Sequence, residues 1–131
     1  VQMLRFEGRT GGSDLVGEKL DEAFVLTCLA DFPPSAFLVP ARDGYDLWLD
    51  PCDLDRMPTE FLTLLEQRLG NNPQYEYARR LGQLRHPRLR QCPDLSARYW
   101  AHRMALGHRL SDIKPPALLP CGPLHPDAWA K

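Results

Sequence analysis

The sequence of 131 residues lacks the features that define several large classes of protein. Its longest apolar runs, such as residues 23–26 and 36–39, are far shorter than the roughly 20 residues of a membrane-spanning helix, so we expect no membrane span. It begins at Val1 without an initiator methionine, so we expect a piece of a longer protein. It also lacks the basic and apolar regions of a signal peptide, so we expect an intracellular protein that is cytoplasmic. Its 44% hydrophobic and 25% charged residues are typical of one globular domain, not of a disordered, collagen-like or disulfide-rich chain.

Cysteine and histidine do not show the spacing of a metal site. The four cysteines include no C-x-x-C pair, and no H-E-x-x-H stretch occurs. His102 and His108 are six residues apart, which puts them on different faces of any helix that holds both. We therefore expect no bound metal, and Cys28, which lies in an apolar run, is predicted to be a small buried residue.

Positive and negative charges nearly balance over the whole chain, but one segment is strongly basic. The chain has 16 basic and 17 acidic side chains, which give a formal net charge of −1. Residues 79–114 contain nine basic and two acidic side chains, so this segment carries +7 and the rest of the chain −8. Such a split is typical of two faces that attract each other within the fold, and the alternative is a basic surface that meets an anionic partner.

The first half of the chain has the periodicity of a strand, a helix and a hairpin. Residues 1–7 are predicted to form a short strand, and residues 18–31 a helix. Asp43 and Gly44 then separate two apolar-rich runs, and this pair is a strong hairpin signal because both positions of a two-residue turn need a positive φ. In residues 45–50 the odd-numbered side chains are predicted to face the core and the even-numbered ones a mixed surface.

The second half is predicted to contain three helices and two strands. The predicted helices are residues 58–69, 73–81 and 94–106, and the predicted strands are residues 87–91 and 117–119. Gly70 and Gly107 stand where two of the helices should end, and Asn72-Pro73 is typical of a helix start. The order of all these elements resembles a ferredoxin-like α+β sandwich, in which helices cover one face of a small antiparallel or mixed sheet.

This order divides the chain into three parts. Residues 1–17 are predicted to be a hinge strand and turn that follow an N-terminal domain, and residues 18–119 the α+β domain. Residues 120–131 contain three prolines and are predicted to be a flexible tail.

Two stretches carry distinctive motifs. Residues 15–22 read LVGEKLDE and residues 75–84 read YEYARRLGQL. They resemble the L-V-G-E-K-L-x-E and Y-x-Y-A-R-x-L-G-Q-L stretches of the GH3 family, the relatives of the plant auxin-responsive acyl-acid amido synthetases. Lys114-Pro115-Pro116 is similar to a late Lys-x-Pro of that family. The resemblance therefore covers most of the chain and is to the C-terminal domain of animal GH3-domain-containing proteins.

The resemblance implies a place in the adenylate-forming superfamily. There, ATP activates a carboxylic acid to an acyl-adenylate, and an amine, often that of an amino acid, then displaces AMP. A small C-terminal lid domain closes over the nucleotide site of a large domain, where it supplies positive charge and excludes water. The implied partners are the chain's own N-terminal large domain, a small carboxylic acid and an amino acid. The implied cofactor is ATP with Mg²⁺, bound mainly by the large domain, so the isolated fragment is expected to be inactive and to hold no cofactor.

The resemblance also implies a nucleotide contact and a hinge. Arg9 follows a predicted strand in Gly8-Arg9, which is similar to the superfamily's Gly-Arg, whose arginine contacts the nucleotide ribose. A solvated turn residue is the alternative for Arg9. Gly11 and Gly12 are the implied hinge, because glycine absorbs large changes of φ and ψ, although the superfamily usually carries Asp or Lys there.

Two lysines are the implied catalytic residues. Lys19 lies in the predicted first turn of a helix, where its charge opposes the helix dipole, and it is the candidate for phosphate or carboxylate contact. The alternative for Lys19 is pairing with Asp21 or Glu22. Lys114 resembles the late lysine of the family's Lys-x-Pro-Arg, but Ala117 stands where the family has arginine, which predicts weakened or altered chemistry.

The second motif is predicted to be mainly structural. Its distinctive residues are Tyr75, Tyr77, Arg79, Gly82 and Gln83. The two tyrosines cannot share a helical face, so one is expected to pack and the other to reach a polar partner.

Two other functions compete with a ligase lid. A nucleic-acid-binding module would use the basic segment and Tyr99-Trp100, but the basic and aromatic run of RNA-binding domains is absent and residues 45–50 are acid-rich, so nucleic acid is not the expected partner. A catalytically degenerate family member that keeps the fold as a scaffold or interaction module is favoured by Ala117 and by the glycine hinge.

Overall fold

The computed structural model describes residues 12–13, 20–109, 117–119, 126 and 129–130. Within these residues the protein has an α+β fold, in which helices pack against a small mixed sheet of three strands. None of the described helices is long and apolar enough to cross a membrane.

The described elements follow one another in the order of the sequence. The strands are β1 (Gly12–Ser13), β2 (Leu20–Asp21), β3 (Phe37–Pro40), β4 (Tyr45–Leu49) and β5 (Arg88–Gln91). The helices are α1 (Glu22–Cys28), α2 (Phe61–Leu69), α3 (Pro73–Arg80) and α4 (Leu95–Ala105), with a 3₁₀ helix at Pro51–Arg56.

Strand β4 lies at the centre of the main sheet. It pairs antiparallel with β3, where Leu47 lies opposite Leu38, and parallel with β5, where Leu47 lies opposite Leu89. Leu118 makes a single parallel bridge with Leu38 on the far side of β3. The order across the sheet is therefore residues 117–119, β3, β4 and β5, and the predicted strand at residues 117–119 is found as this one bridge.

The predicted hairpin is confirmed, but its turn differs from the prediction. The loop covers residues 41–44, and the N–H of Ala41 donates to the carbonyl oxygen of Gly44 at 2.7 Å. Neither Asp43 nor Gly44 has a positive φ, so the predicted two-residue turn is wrong. Gly44 is required for another reason, because a Cβ at this position would lie 2.6 Å from Cγ of Arg85.

Helices cover both faces of the sheet. Leu47 and Leu49 lie in a buried cluster that α1, α2 and α3 complete, and we name this side the three-helix face. Trp48 lies in a second buried cluster with Leu95 and Tyr99 of α4, and we name this side the α4 face. The expectation that helices cover only one face is therefore wrong. Its physical cause is that the side chains of a strand alternate between two faces, and β3 and β4 carry large apolar residues on both, so each face needs a cover.

Helix α1 begins later than predicted. Its first residue is Glu22, because Leu20 and Asp21 are extended and pair with β1. The side chain of Asp21 caps the helix by accepting a hydrogen bond from the N–H of Phe24 at 2.8 Å. The helix therefore does not run through Leu20 and Asp21 as predicted, and Lys19 lies outside the described residues.

The buried stripes of α1 and α4 are narrower than the sequence predicts. Val25, Cys28 and Leu29 are buried and follow the spacing of one helical face, and the prediction of a buried Cys28 is confirmed. Leu26 lies beside this stripe and is 58% exposed. Met104, an apolar residue of α4, is 52% exposed.

A 3₁₀ helix that periodicity did not predict follows β4. The carboxylate of Asp50 accepts hydrogen bonds from the N–H of Cys52 at 3.0 Å and from the N–H of Leu95 at 3.3 Å. These bonds hold the pKa of Asp50 below its usual value, and the bond from the N–H of Cys52 contributes most. One side chain thus ties the end of β4 to the starts of the 3₁₀ helix and of α4.

Trp129 packs against the α4 face. Its ring centroid lies 5.7 Å from that of Tyr99 and 6.2 Å from that of Phe37. This residue belongs to the stretch predicted as a flexible tail, and it adds aromatic surface to the cluster around α4.

We expect Asp50→Ala to lower the free energy of unfolding by about 1–2 kcal/mol at neutral pH, because it removes a helix cap. Folding lowers the pKa of Asp50, so its stabilisation is present above the unfolded value of about 4 and is lost as the pH falls through the folded value. Urea unfolding at several pH values should therefore show a difference between the two proteins that shrinks in acid. Asp55→Ala, an exposed carboxylate in the same 3₁₀ helix, is the control; a difference that persists undiminished in acid would contradict the prediction.

We expect Gly44→Ala to destabilise the fold by about 1–3 kcal/mol, because the new methyl group must displace the Arg85 side chain. In an Arg85→Ala background the same change should cost much less, since the clash is then absent. Denaturant unfolding of the four proteins of this double-mutant cycle measures the coupling. An equal cost in both backgrounds would show that Arg85 is not the reason for glycine.

Candidate functional site

The structure describes only part of the residues that the resemblance implies. Arg9, Gly11, Lys19 and Lys114 lie outside the described residues, so their placement stays a prediction. Gly12 is described, and it lies in β1.

The described residues next to these positions come together. Gly12 pairs with Asp21 in the ladder of β1 and β2. The following residue, Glu22, accepts a hydrogen bond through Oε2 from the N–H of Ala117 at 2.8 Å. We name this contact the Glu22–Ala117 junction. It joins the end of the LVGEKLDE motif to the residue that directly follows Lys-Pro-Pro, across 95 positions of sequence.

The junction is fixed from two sides. The N–H of Ala117 donates to Glu22, while the carbonyl of Ala117 accepts from the N–H of Leu38 at 2.8 Å. Ala117 is only 4% exposed. A carboxylate that accepts from a backbone N–H makes a charge-assisted bond, which is stronger than a neutral one. The start of α1 and the edge of the sheet are therefore held together at this point.

The carboxylates nearest to Lys19 in sequence have backbone partners. Asp21 accepts from the N–H of Phe24, and Glu22 accepts from the N–H of Ala117. These bonds orient both carboxylates by the backbone of the fold.

The second motif builds a polar network between α3 and α2. Tyr75 is 1% exposed, and its hydroxyl donates to Oε1 of Glu66 at 2.9 Å. Nε of Arg79 donates to Oε2 of the same carboxylate at 2.8 Å. Burial, and then the charge of Glu66, raise the pKa of Tyr75 far above its usual value. Tyr75 therefore remains a neutral hydrogen-bond donor at physiological pH.

Arg79 also fastens the turn that follows α3. Its Nη1 donates to the carbonyl oxygen of Leu84 at 3.1 Å, and its Nη2 lies 2.9 Å and 2.8 Å from the two ring nitrogens of His86. With Glu66 on the other side, the guanidinium connects α2, α3 and the residues that lead to β5.

Gly82 and Gln83 terminate α3. Gly82 has a φ of 77°, which favours glycine, and its N–H donates to the carbonyl of Arg79 at 3.1 Å. The N–H of Gln83 donates to the carbonyl of Ala78 at 2.9 Å. This pair of bonds is the Schellman motif, which satisfies the last carbonyls of a helix. Of the two motif tyrosines, Tyr77 is the one that faces solvent, since it is 57% exposed.

Arg85 organises the hairpin, and the sequence analysis did not identify it. It donates to Oδ1 of Asp43 and to Oδ1 of Asp46, both at 2.8 Å, and also to the carbonyls of Tyr45 and His86. The bond from Arg85 holds the pKa of Asp43 below its usual value. Asp46 is only 6% exposed, so its charge needs a partner. Asp46, an aspartate among the apolar residues of β4, indicated that a buried carboxylate needs a basic partner. It did not identify which basic residue that partner is.

Comparison of the chain with protein-family models, with curated proteins and with solved structures finds no match. Among the described residues, no group of three or more His, Cys, Asp or Glu side chains is arranged to hold a metal ion. Three features bear on function: the Glu22–Ala117 junction, the polar network around Glu66, and the two sequence motifs.

We expect Arg79→Met to lower the free energy of unfolding by about 2 kcal/mol, because it leaves the half-buried carboxylate of Glu66 without its charged donor. Arg80→Met, one residue further along α3, is the matched control. Arg80 is 66% exposed, and it contacts only exposed groups among the described residues: the carboxylate of Glu76 and the ring of Tyr77, whose centroid is 6.0 Å away. Its loss should therefore change stability by less than about 0.5 kcal/mol. Chemical denaturation measures both, and equal effects would show that the network does not stabilise the fold.

Proposed function

We propose that this chain is the lid domain of a GH3-like acyl-adenylate-forming ligase, which joins a carboxylic acid to an amino acid with the use of ATP. The Glu22–Ala117 junction is the observation that best supports this proposal. It joins Glu22, the last residue of the LVGEKLDE motif, to Ala117, the residue after Lys-Pro-Pro, although the two are 95 positions apart.

The junction limits how far apart the two lysines can be. Lys19 stands three residues before Glu22, and Lys114 three residues before Ala117. Three residues of extended chain span at most about 10 Å, which limits the backbone distance of each lysine from its described neighbour, Glu22 or Ala117. Under this proposal, the two ammonium groups would bind an anionic ligand near the junction. The phosphate of an acyl-adenylate and the carboxylate of an amino acid are ligands of that kind.

The rest of the domain has the rigidity that a lid needs. The Arg79 network and the Schellman turn at Gly82 fix α3 against α2, so the domain would move as one body. The hinge would lie at Gly11 and Gly12, where the only described pairing is the two-residue ladder of β1 and β2. The mixed sheet with packed helices is consistent with a variant of the ferredoxin-like lid.

The remaining parts of the site would come from the large domain. That domain would bind ATP with Mg²⁺ and the carboxylic acid, and Arg9 would contact the nucleotide ribose near the hinge. Closure of the lid would exclude water from the acyl-adenylate. The use of ATP places the protein inside the cell under this proposal.

A catalytically degenerate scaffold is the second candidate, and Ala117 favours it. The side chain at this position is buried, and both backbone groups of Ala117 are used by α1 and β3. An arginine at this site, as the family has, would have to leave the core to reach a ligand. Under this second candidate, the family's arginine would be replaced by a residue whose role is structural.

The proposal is tested by ATP–pyrophosphate exchange on the protein that carries both the large domain and this chain, with a panel of carboxylic acids. We expect Lys19→Ala or Lys114→Ala to lower turnover by about 10² or more in exchange or in amide formation, because each removes charge that stabilises the transition state. Arg56→Ala, an equally basic position that is 73% exposed on the 3₁₀ helix, should leave the rate unchanged.

Two results would count against the ligase. No exchange with any acid, from a protein shown to be folded, would favour the scaffold. Exchange and amide formation at the normal rate in both lysine variants would show that the junction does not position catalytic charge.

A further inference from the structure

Strand β5 forms one edge of the described sheet. Its one neighbour among the described residues is β4, whereas the opposite edge is covered by Leu118, which bridges to Leu38. An edge strand offers backbone N–H and C=O groups that can pair with another strand.

The hydrogen bonds between β5 and β4 show which backbone groups of β5 point away from the sheet. The N–H of Cys92 donates to the carbonyl of Leu49 at 3.1 Å. Backbone groups alternate in direction along a strand, so Arg88 and Arg90, which share the phase of Cys92, bond to β4. Leu89 and Gln91 therefore direct their N–H and C=O groups outward. This is the pattern that an added strand needs.

Two arginines flank the outward backbone groups. The side chains of Arg88 and Arg90 are 63% and 52% exposed. They project from the same side of β5, and the guanidinium of Arg90 lies 4.8 Å from the ring centroid of Trp48. Stacking on the ring fixes this guanidinium while its edge remains free to donate hydrogen bonds.

The charges of the described residues around this edge do not balance. Arg85 holds the carboxylates of both Asp43 and Asp46 at 2.8 Å. Arg88 and Arg90 reach the same two carboxylates only at 3.8 Å and 3.6 Å. Three guanidinium groups thus share two carboxylates, and the two exposed guanidinium groups carry the surplus charge.

We propose that the outer edge of β5 binds an extended acidic segment of a partner protein by strand addition. Acidic side chains at alternate positions of that segment would pair with Arg88 and Arg90, and the residue between them would be apolar and lie beside Leu89. This inference does not depend on the proposed ligase function.

Other occupants fit this edge less well. A second copy of the chain, paired through its own β5, would bring four arginines together, and like charges across a strand pair are unfavourable. A nucleic acid would meet the arginines, but it has no peptide backbone to pair with the N–H and C=O groups of Leu89 and Gln91.

The probe is a fluorescent ten-residue peptide that alternates glutamate and valine, titrated with the full chain and followed by fluorescence anisotropy. We expect binding that weakens at least about tenfold when the peptide amides facing β5 are N-methylated, because strand pairing is then blocked while the charge is unchanged. Arg88→Gln with Arg90→Gln should weaken it by a similar factor, and the exposed Arg56→Gln should not change it.

Three outcomes would overturn the proposal. The alternating peptide does not bind, or N-methylation does not change its affinity, or a single-stranded RNA binds more tightly at the same ionic strength. The N-methylated peptide tests the unaltered protein, so the result stands even if the double arginine variant fails to fold.

Discussion

An ionised side chain in the central strand constrains much of this fold. Every residue of β4 is buried, including Asp46, and a charge in such a place is strongly destabilising unless it is paired. Arg85 provides the pair at 2.8 Å and brings the turn after α3 against the hairpin loop. Its side chain fills the space beside position 44, which leaves room only for glycine. The shape of the loop, the start of β5 and the charged edge all depend on this one ion pair.

Local features of the fold were predictable, and long-range ones were not. The start of α3 at Pro73 and the alternation along β4 follow from residues that are neighbours in sequence, and the structure has both. Helix α1 is shorter than its periodicity because Leu20 pairs with β1, which is a tertiary contact. Apolar residues on both sides of a strand show that both sides are covered, but not that α4 is the cover. The partner of Asp46 lies 39 positions away, and no pattern identifies it.

The candidate site divides in the same way. The sequence contains the LVGEKLDE motif and Lys-Pro-Pro, but it does not show that Glu22 and Ala117 meet. The donor at Ala117 is a backbone N–H, and any residue other than proline would offer one. The motif around Tyr75 and Arg79 has a different character. Its most distinctive side chains bind Glu66 and connect two helices, so the role that the structure shows for this motif is a structural one.

The contact between Glu22 and Ala117 can form only late in the synthesis of the chain. The two residues are 95 positions apart, so α1, β3 and β4 leave the ribosome well before Ala117 exists. Until then the outer edge of β3 has no Leu118 to cover it, and it is exposed to pairing with other nascent chains. Closing so long a loop is slow compared with local folding. The domain therefore protects its sheet and completes its candidate site in the same late step.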